Sequence, residues 1–303
     1  MIEQGKFDLN IHYLKKKIYY IIRRIDTNVG LFSNYIVFAG HIKYALQNGW
    51  LPVIDMKNYP NVYLEPQQVG KINAWEYYFC QPLGITLDEA YNGDNVILSN
   101  DLPPDRPHDG MDFFNNINNI LMEWRMLVKL GLLKVQPTIY QEFLHLYNLL
   151  FAKEDRVLGV LMRGTDYVAL KPPSHPIPPP VDVAMKTVQE MKDKWNCNKI
   201  FLATEDQNIV SDFKERFGNT CITINKPYIK YDGQTYIPLY HIKRKNDFFL
   251  SGKEYLMQML ILSKCNCFVT ARCSGSVGVM MMAEKFDNTL AFDFGNYPSP
   301  PPA

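Results

Sequence analysis

Between Gly159 and Pro180 the sequence reads GVLMRGTDYVALKPPSHPIPPP, an apolar run closed by Arg163-Gly164-Thr165-Asp166 and followed by a proline-rich segment. The residues VLGVLM have the near-continuous apolar character of a strand covered on both faces. Residues just after such a strand sit at its carboxyl end, where open α/β sheets take their ligands. Arg163 there presents a rigid fork of donors suited to phosphate oxygens, and Gly164 adds no side chain to obstruct a ligand. The competing reading is an arginine paired with Asp166 to close a loop. The prolines are expected to keep the residues after Arg163 from entering a helix at once.

Three further clusters point to the same kind of ligand. In VTARCSGSVGVMMM a strand ends near Ala271 and a helix is expected from about Val277, with Ser274, Gly275 and Ser276 between them. The unpaired N–H groups of a helix's first turn attract an anion and glycine admits a close approach, but the same serines also serve as ordinary caps. In IFLATEDQNIV, Glu205 and Asp206 come directly after a buried strand. They either accept hydrogen bonds from a ribose or base, or cap the next helix. Glu254 and Gln258, four apart on an expected helix, share one face and either read a nucleobase edge or are solvated polarity. Gly30, in DTNVGLFSN, supplies a flexible turn between the first strand and helix, with backbone donors on the cleft side.

The elements that must position these residues alternate. KIYYIIRRI reads as a strand, FSNYIVFAGHIKYALQNG as a helix stopped by Asn48-Gly49, and WLPVID as the next strand, which is a βαβ unit. Strand NVILS, an exposed proline-rich loop and helices over about 111–130 and 138–151 complete this half. The pattern then restarts with strands RVLGVLMR, KIFLAT, TCITIN, CFVTA and LAFDF, separated by helices including Val181 to Trp195 and one closed by Gly218. The fold class is therefore α/β, with two Rossmann-like domains facing a cleft and each holding its own core. Residues 1–150 form the acceptor side, 151–296 the donor domain, and 297–303 a mobile proline-rich tail.

With 303 residues, 47% hydrophobic and a net charge of +1, the chain has the composition of a globular protein, and no nucleic-acid partner is expected. The first ten residues lack the apolar core of a signal peptide, and no run is long enough to span a bilayer. YLKKKIYYIIRRI is either an amphipathic helix on an anionic membrane surface or, as we favour, a first strand flanked by solvated charges. The six cysteines form no C-x-x-C pair and read as buried free thiols. There is no G-x-G-x-x-G, no phosphate-binding lysine loop, no H-E-x-x-H and no D-x-D pair to hold a metal, so none is expected.

Taken together, VLMRGTD with the following HPIPPP, LATED and CSGSVGVMMMAE resemble motifs of the fucosyltransferase superfamily that includes the α1,2-, α1,6- and protein O-fucosyltransferases. The similarity covers Gly159 to about Glu284, and in the first half only the turn and helix at Asn28 to Asn34. It implies a GT-B fold and an inverting, metal-independent transfer from GDP-fucose to a glycan. No cofactor is expected beyond that donor. By the same resemblance Arg163 binds the donor β-phosphate, Ser274 and Ser276 lie on the phosphate side, and the helix of Glu254 and Gln258 reads the guanine. The chain departs from the pattern at Gly164, Leu161 and Glu205, which stand where many members have arginine, histidine and aspartate. These departures leave open another nucleotide sugar.

The catalytic set expected from this is Arg163, which neutralises the leaving diphosphate, with Asp166 or His175 as general base. Asp166 equally reads as the group that orients Arg163. A noncatalytic nucleotide- or sugar-binding module is the competing class. A cytoplasmic protein is expected, in peripheral contact with a membrane at most, acting on a soluble or lipid-linked acceptor as in a bacterial surface-polysaccharide pathway.

Overall fold

The computed structural model describes residues 17–299, except 116, 232 and 234. The first half runs β1 (Tyr19–Arg23), α1 (Leu31–Gln47), β2 (Leu51–Asp55), α2 (Trp75–Tyr78), α3 (Leu87–Tyr91), β3 (Val96–Leu98), α4 (Met111–Asn115), α5 (Ile117–Lys129) and α6 (Pro137–Leu150). The second runs β4 (Val157–Leu161), α7 (Thr165–Ala169), α8 (Val181–Lys194), β5 (Lys199–Ala203) and α9 (Gln207–Phe217). It continues with β6 (Cys221–Ile222), α10 (Asp247–Leu262), β7 (Cys267–Thr270), α11 (Ser274–Met282) and β8 (Asn288–Ala291). The favoured strand reading of KIYYIIRRI holds for β1, while residues 13–16 and the polar N-terminus lie outside the described residues.

All strand pairs are parallel, in two sheets ordered β2-β1-β3 and β6-β5-β4-β7-β8. In the second sheet the chain steps outward from β4 through β5 to β6, then crosses back to β7 on the other side. The strand order therefore reverses between β4 and β7, and a crevice opens outside their carboxyl ends. In the first sheet it reverses between β1 and β3. Each sheet thus has its own switch point.

The halves are not packed as separate bodies. Each keeps a smaller buried cluster, but the largest cluster runs from Tyr20 and Phe32 through Phe201 and Leu256 to Met281. This corrects the expectation of one core per half. Two glycines make the contact close: Gly278 of α11 lies against the ring of Phe32, and Gly252 of α10 against the hydroxyl of Tyr78. That hydroxyl donates to the Phe249 carbonyl at 2.9 Å.

Three local expectations are also corrected. A short helix, α7, begins immediately after Gly164, because the prolines start only at Pro172. Its first residue, Thr165, sits at φ 40°. A β-branched residue there costs on the order of 1–3 kcal/mol, and its hydroxyl donates to Glu205 at 2.8 Å, which holds the conformation. Helix α11 starts at Ser274 and not at Val277, with Cys273 as its cap. The C-terminal segment is tied down as far as it is described. Pro176 and Asn296 form an antiparallel bridge, Tyr297 N donates to His175 O at 2.9 Å, and Arg272 donates to Asn296 Oδ1 at 2.6 Å. Residues 300–303 lie outside the described residues.

Candidate functional site

A cavity of about 700 Å³ lies between the two sheets' carboxyl ends. Arg163 reaches its wall from the end of β4, at the second sheet's switch point. Its Nη2 donates to Asp166 Oδ1 at 3.0 Å, and its Nη1 lies 3.6 Å from Glu205 Oε2. The ring of Tyr167 packs at 4.6 Å from the guanidinium carbon. Burial pulls the Arg163 pKa down, but Glu205 and Asp166 outweigh it and hold the pKa well above the ordinary value. The side chain is thus a fixed cation, positioned before any ligand arrives. Its Nε is buried without a partner.

Asp166 is fully engaged. Oδ1 accepts from Arg163 and Tyr167 N, and Oδ2 accepts from Ile237 N at 3.1 Å. That geometry fits the orienting role. His175 lines the cavity, with its Nδ1 at 2.9 Å from Pro173 O and its ring edge-on to Tyr167.

Of the other candidates, Gly30, Glu205, Glu254, Gln258, Ser274 and Gly275 also line the cavity. Gly30 has φ −69°, an ordinary extended conformation, so no flexible turn is needed there. Glu254 is engaged by Arg244 in a two-pronged pair at 2.6 and 2.8 Å, and Gln258 is buried with its Nε2 3.3 Å from Thr204 O. Gly275 is pressed against the Tyr255 hydroxyl. Together Arg163 and the first turn of α11, at the ends of β4 and β7, face the same crevice.

Gly164, Asp206 and Ser276 are not on the cavity wall. A side chain at Gly164 would meet Asp206 Oδ2 at 2.7 Å, so the glycine admits α9 and not a ligand. Asp206 caps α9, accepting from Asn208 N at 2.7 Å. Ser276 is fully buried and its hydroxyl turns back to Cys273, donating to the carbonyl at 2.6 Å. For these two residues the capping alternative describes the geometry.

Sequence reasoning missed four cations that line the same cavity: Arg24, Arg106, Lys226 and Arg244. Arg244 is neutralised by Asp247 and Glu254. Lys226 pairs with no carboxylate within 4 Å among the described residues; it donates to Pro227 O at 3.3 Å and packs on Tyr228. Burial drops its pKa to about 8, against a smaller opposing pull from Glu205 and Glu254. It is a half-buried cation short of a counterion. Asp109 was missed too. It lines the cavity, forms no ion pair among the described residues, and its charge reaches the half-buried Tyr167 and the buried Cys273 on the far wall. None of these lies in a motif, and only the folded loops bring them together.

No protein-family model and no curated protein sequence matches the chain. Solved structures do. The α-1,6-fucosyltransferase NodZ soaked with GDP-fucose superposes with TM-score 0.55 at 16% identity, over 92% of this chain and 96% of that one. NodZ from Bradyrhizobium, in selenomethionine form, gives 0.54 at 15% identity over 93% and 97%. POFUT1 without ligand gives 0.51 at 10% identity over 92% and 99%. The chain has the fold of these fucosyltransferases. At such identities the likeness establishes a shared α/β architecture with parallel sheets, and the chemistry rests on the residues of the cavity.

Proposed function

We propose that this chain is an inverting glycosyltransferase that transfers fucose from GDP-fucose to a hydroxyl of a glycan, with no metal ion. The observation that carries the reading is the preset Arg163 cation beside the first turn of α11, at the switch point of the second sheet, in a chain whose fold is like that of an α-1,6-fucosyltransferase soaked with that donor. A departing nucleotide diphosphate gathers charge on its β-phosphate oxygen. Arg163, the N–H groups of Ser274 and Gly275, and Lys226 are the donors of this chain that meet it. Removing one such donor typically costs about 2.7–4 kcal/mol of barrier.

The acceptor hydroxyl comes from the first half and must lose a proton as it attacks the anomeric carbon. Asp109 lines the cavity with no ion pair among the described residues and its charge reaches Tyr167 beside Arg163, and in this reading it takes that proton while Asp166 holds Arg163 in place. Glu205 and Gln258, on the same wall, are left to meet the nucleoside.

Titration with GDP, UDP and ADP followed by heat unfolding tests the donor, and release of GDP from GDP-fucose with a chelator present tests the reaction. A GDP-selective rise in unfolding temperature with chelator-resistant turnover is expected. Binding without any turnover would leave a nucleotide-binding module, and no preference for GDP would remove the donor assignment.

A further inference from the structure

The first sheet's switch point lies between β1 and β3, and the donor-binding residues leave it free. Arg24 leaves the carboxyl end of β1, and Arg106 lies on the loop after β3. Both line the cavity, and neither has a carboxylate within 4 Å among the described residues. Arg24 donates from Nη1 to Ser33 Oγ at 3.0 Å. Its pKa is lowered by burial; Asp26 pulls it back up, Arg106 pushes it down and Asp101 adds a smaller upward pull, so the second guanidinium is felt alongside two carboxylates that do not pair with Arg24 directly. A neighbouring like charge disfavours the charged form, and an anion bound between the two guanidiniums would relieve that cost.

The support around them is rigid. Lys43 binds Asp105 at 2.7 Å, and the loop of Pro103 to Arg106 presses so closely on α1 that only glycine fits at position 40. Asp101 accepts from Ile25 N at 3.0 Å, joining that loop to the segment carrying Arg24. Helix α1 starts beside them with a glycine cap, no side-chain cap and no acidic residue in its first turn. Its free N–H groups add to the positive potential.

We infer that Arg24 and Arg106 form a second anion subsite, on the acceptor side of the cleft, which takes a saccharide carrying a carboxylate, sulfate or phosphate group. This rests on the transferase reading for its biological sense: the donor's diphosphate has its own cations, so the anion met here belongs to the acceptor. A neutral glycan would leave the pair with only the indirect pull of Asp26 and Asp101 and no directly bound anion.

The test is calorimetric titration of the GDP-saturated protein with glucuronate, glucose 6-sulfate and glucose 6-phosphate, with glucose as the neutral control. At least one acid sugar is expected to bind tenfold or more tightly than glucose, and which one does so identifies the anionic group. The R24Q/R106Q variant should fall to the level of glucose and keep its GDP dissociation constant within twofold. R24K/R106K, which retains charge, should keep part of the preference. Equal binding of glucose and all three acid sugars by the wild-type protein would overturn the inference. So would a loss of GDP affinity beyond twofold in R24Q/R106Q, which would make the pair a clamp on the donor. If the wild-type protein bound no GDP, the donor reading would fail on its own, and the same titration without nucleotide would still decide the subsite.

Discussion

The two switch points of this molecule face one cavity yet are built differently. At the second sheet, Arg163 lies between Asp166 and Glu205, and Arg244 between Asp247 and Glu254. At the first, Arg24 and Arg106 have no such partners among the described residues. A cation clamped by carboxylates is held in one geometry, ready for charge that appears only during reaction, but much of its field is already cancelled. An unclamped cation attracts a permanently charged ligand more strongly and defines its position less well. The contrast suggests catalysis at one wall and recognition at the other.

The largest expected effect comes from dismantling the clamped side. Arg163→Ala should lower turnover by on the order of 10²–10³-fold. It also strands the buried Asp166 and the partly buried Glu205, so stability should drop by about 3–5 kcal/mol in urea unfolding. Arg163→Lys keeps the charge and loses the fork, so it should retain most of that stability and little of the rate. A lysine variant with full activity would remove the phosphate role. Asp109→Asn should slow transfer by roughly 10²–10⁴-fold with GDP affinity unchanged. If instead Asp166→Asn slowed the reaction while leaving the protein as stable as before, the base would be Asp166.

Lys226 sharpens the comparison from within the second half. Its cation is disfavoured in the free protein and favoured once an anion arrives, so GDP binding should take up a proton above pH 8. The sign is fixed: affinity is full below about pH 8 and falls as the free lysine loses its proton. Lys226→Met should flatten that profile and weaken GDP by about 1.5–3 kcal/mol, the size of a charged hydrogen bond. A profile unchanged in the variant would place the anion elsewhere. The smallest effect belongs to Asp206→Ala, which removes the cap of α9 at about 0.5–2 kcal/mol of stability and should leave GDP affinity alone.

The alternation of strands and helices was legible because apolar runs and turn residues are local signals. Arg163 was legible for the same reason, since the end of β4 can be read from VLGVLM alone. Its clamp was only half legible: Asp166 is three residues away, but Glu205 arrives from β5. Gly164 misled because an empty side chain looks like room for a ligand, whereas here it makes room for Asp206. Arg24, Arg106 and Lys226 were invisible because a cation on a loop looks solvated until the fold encloses it. Helix α7 escaped because its five residues carry no periodicity and open on a strained threonine.

The buried cluster that joins the halves, drawn tight at Gly278 and Gly252, has a kinetic consequence. Swinging the sheets apart would expose Phe32, Tyr78 and their neighbours, at roughly 1.5–3 kcal/mol for each large side chain wetted. Substrates must then arrive and products depart through a mouth whose gape is set at folding, as in a vice with its screw fixed.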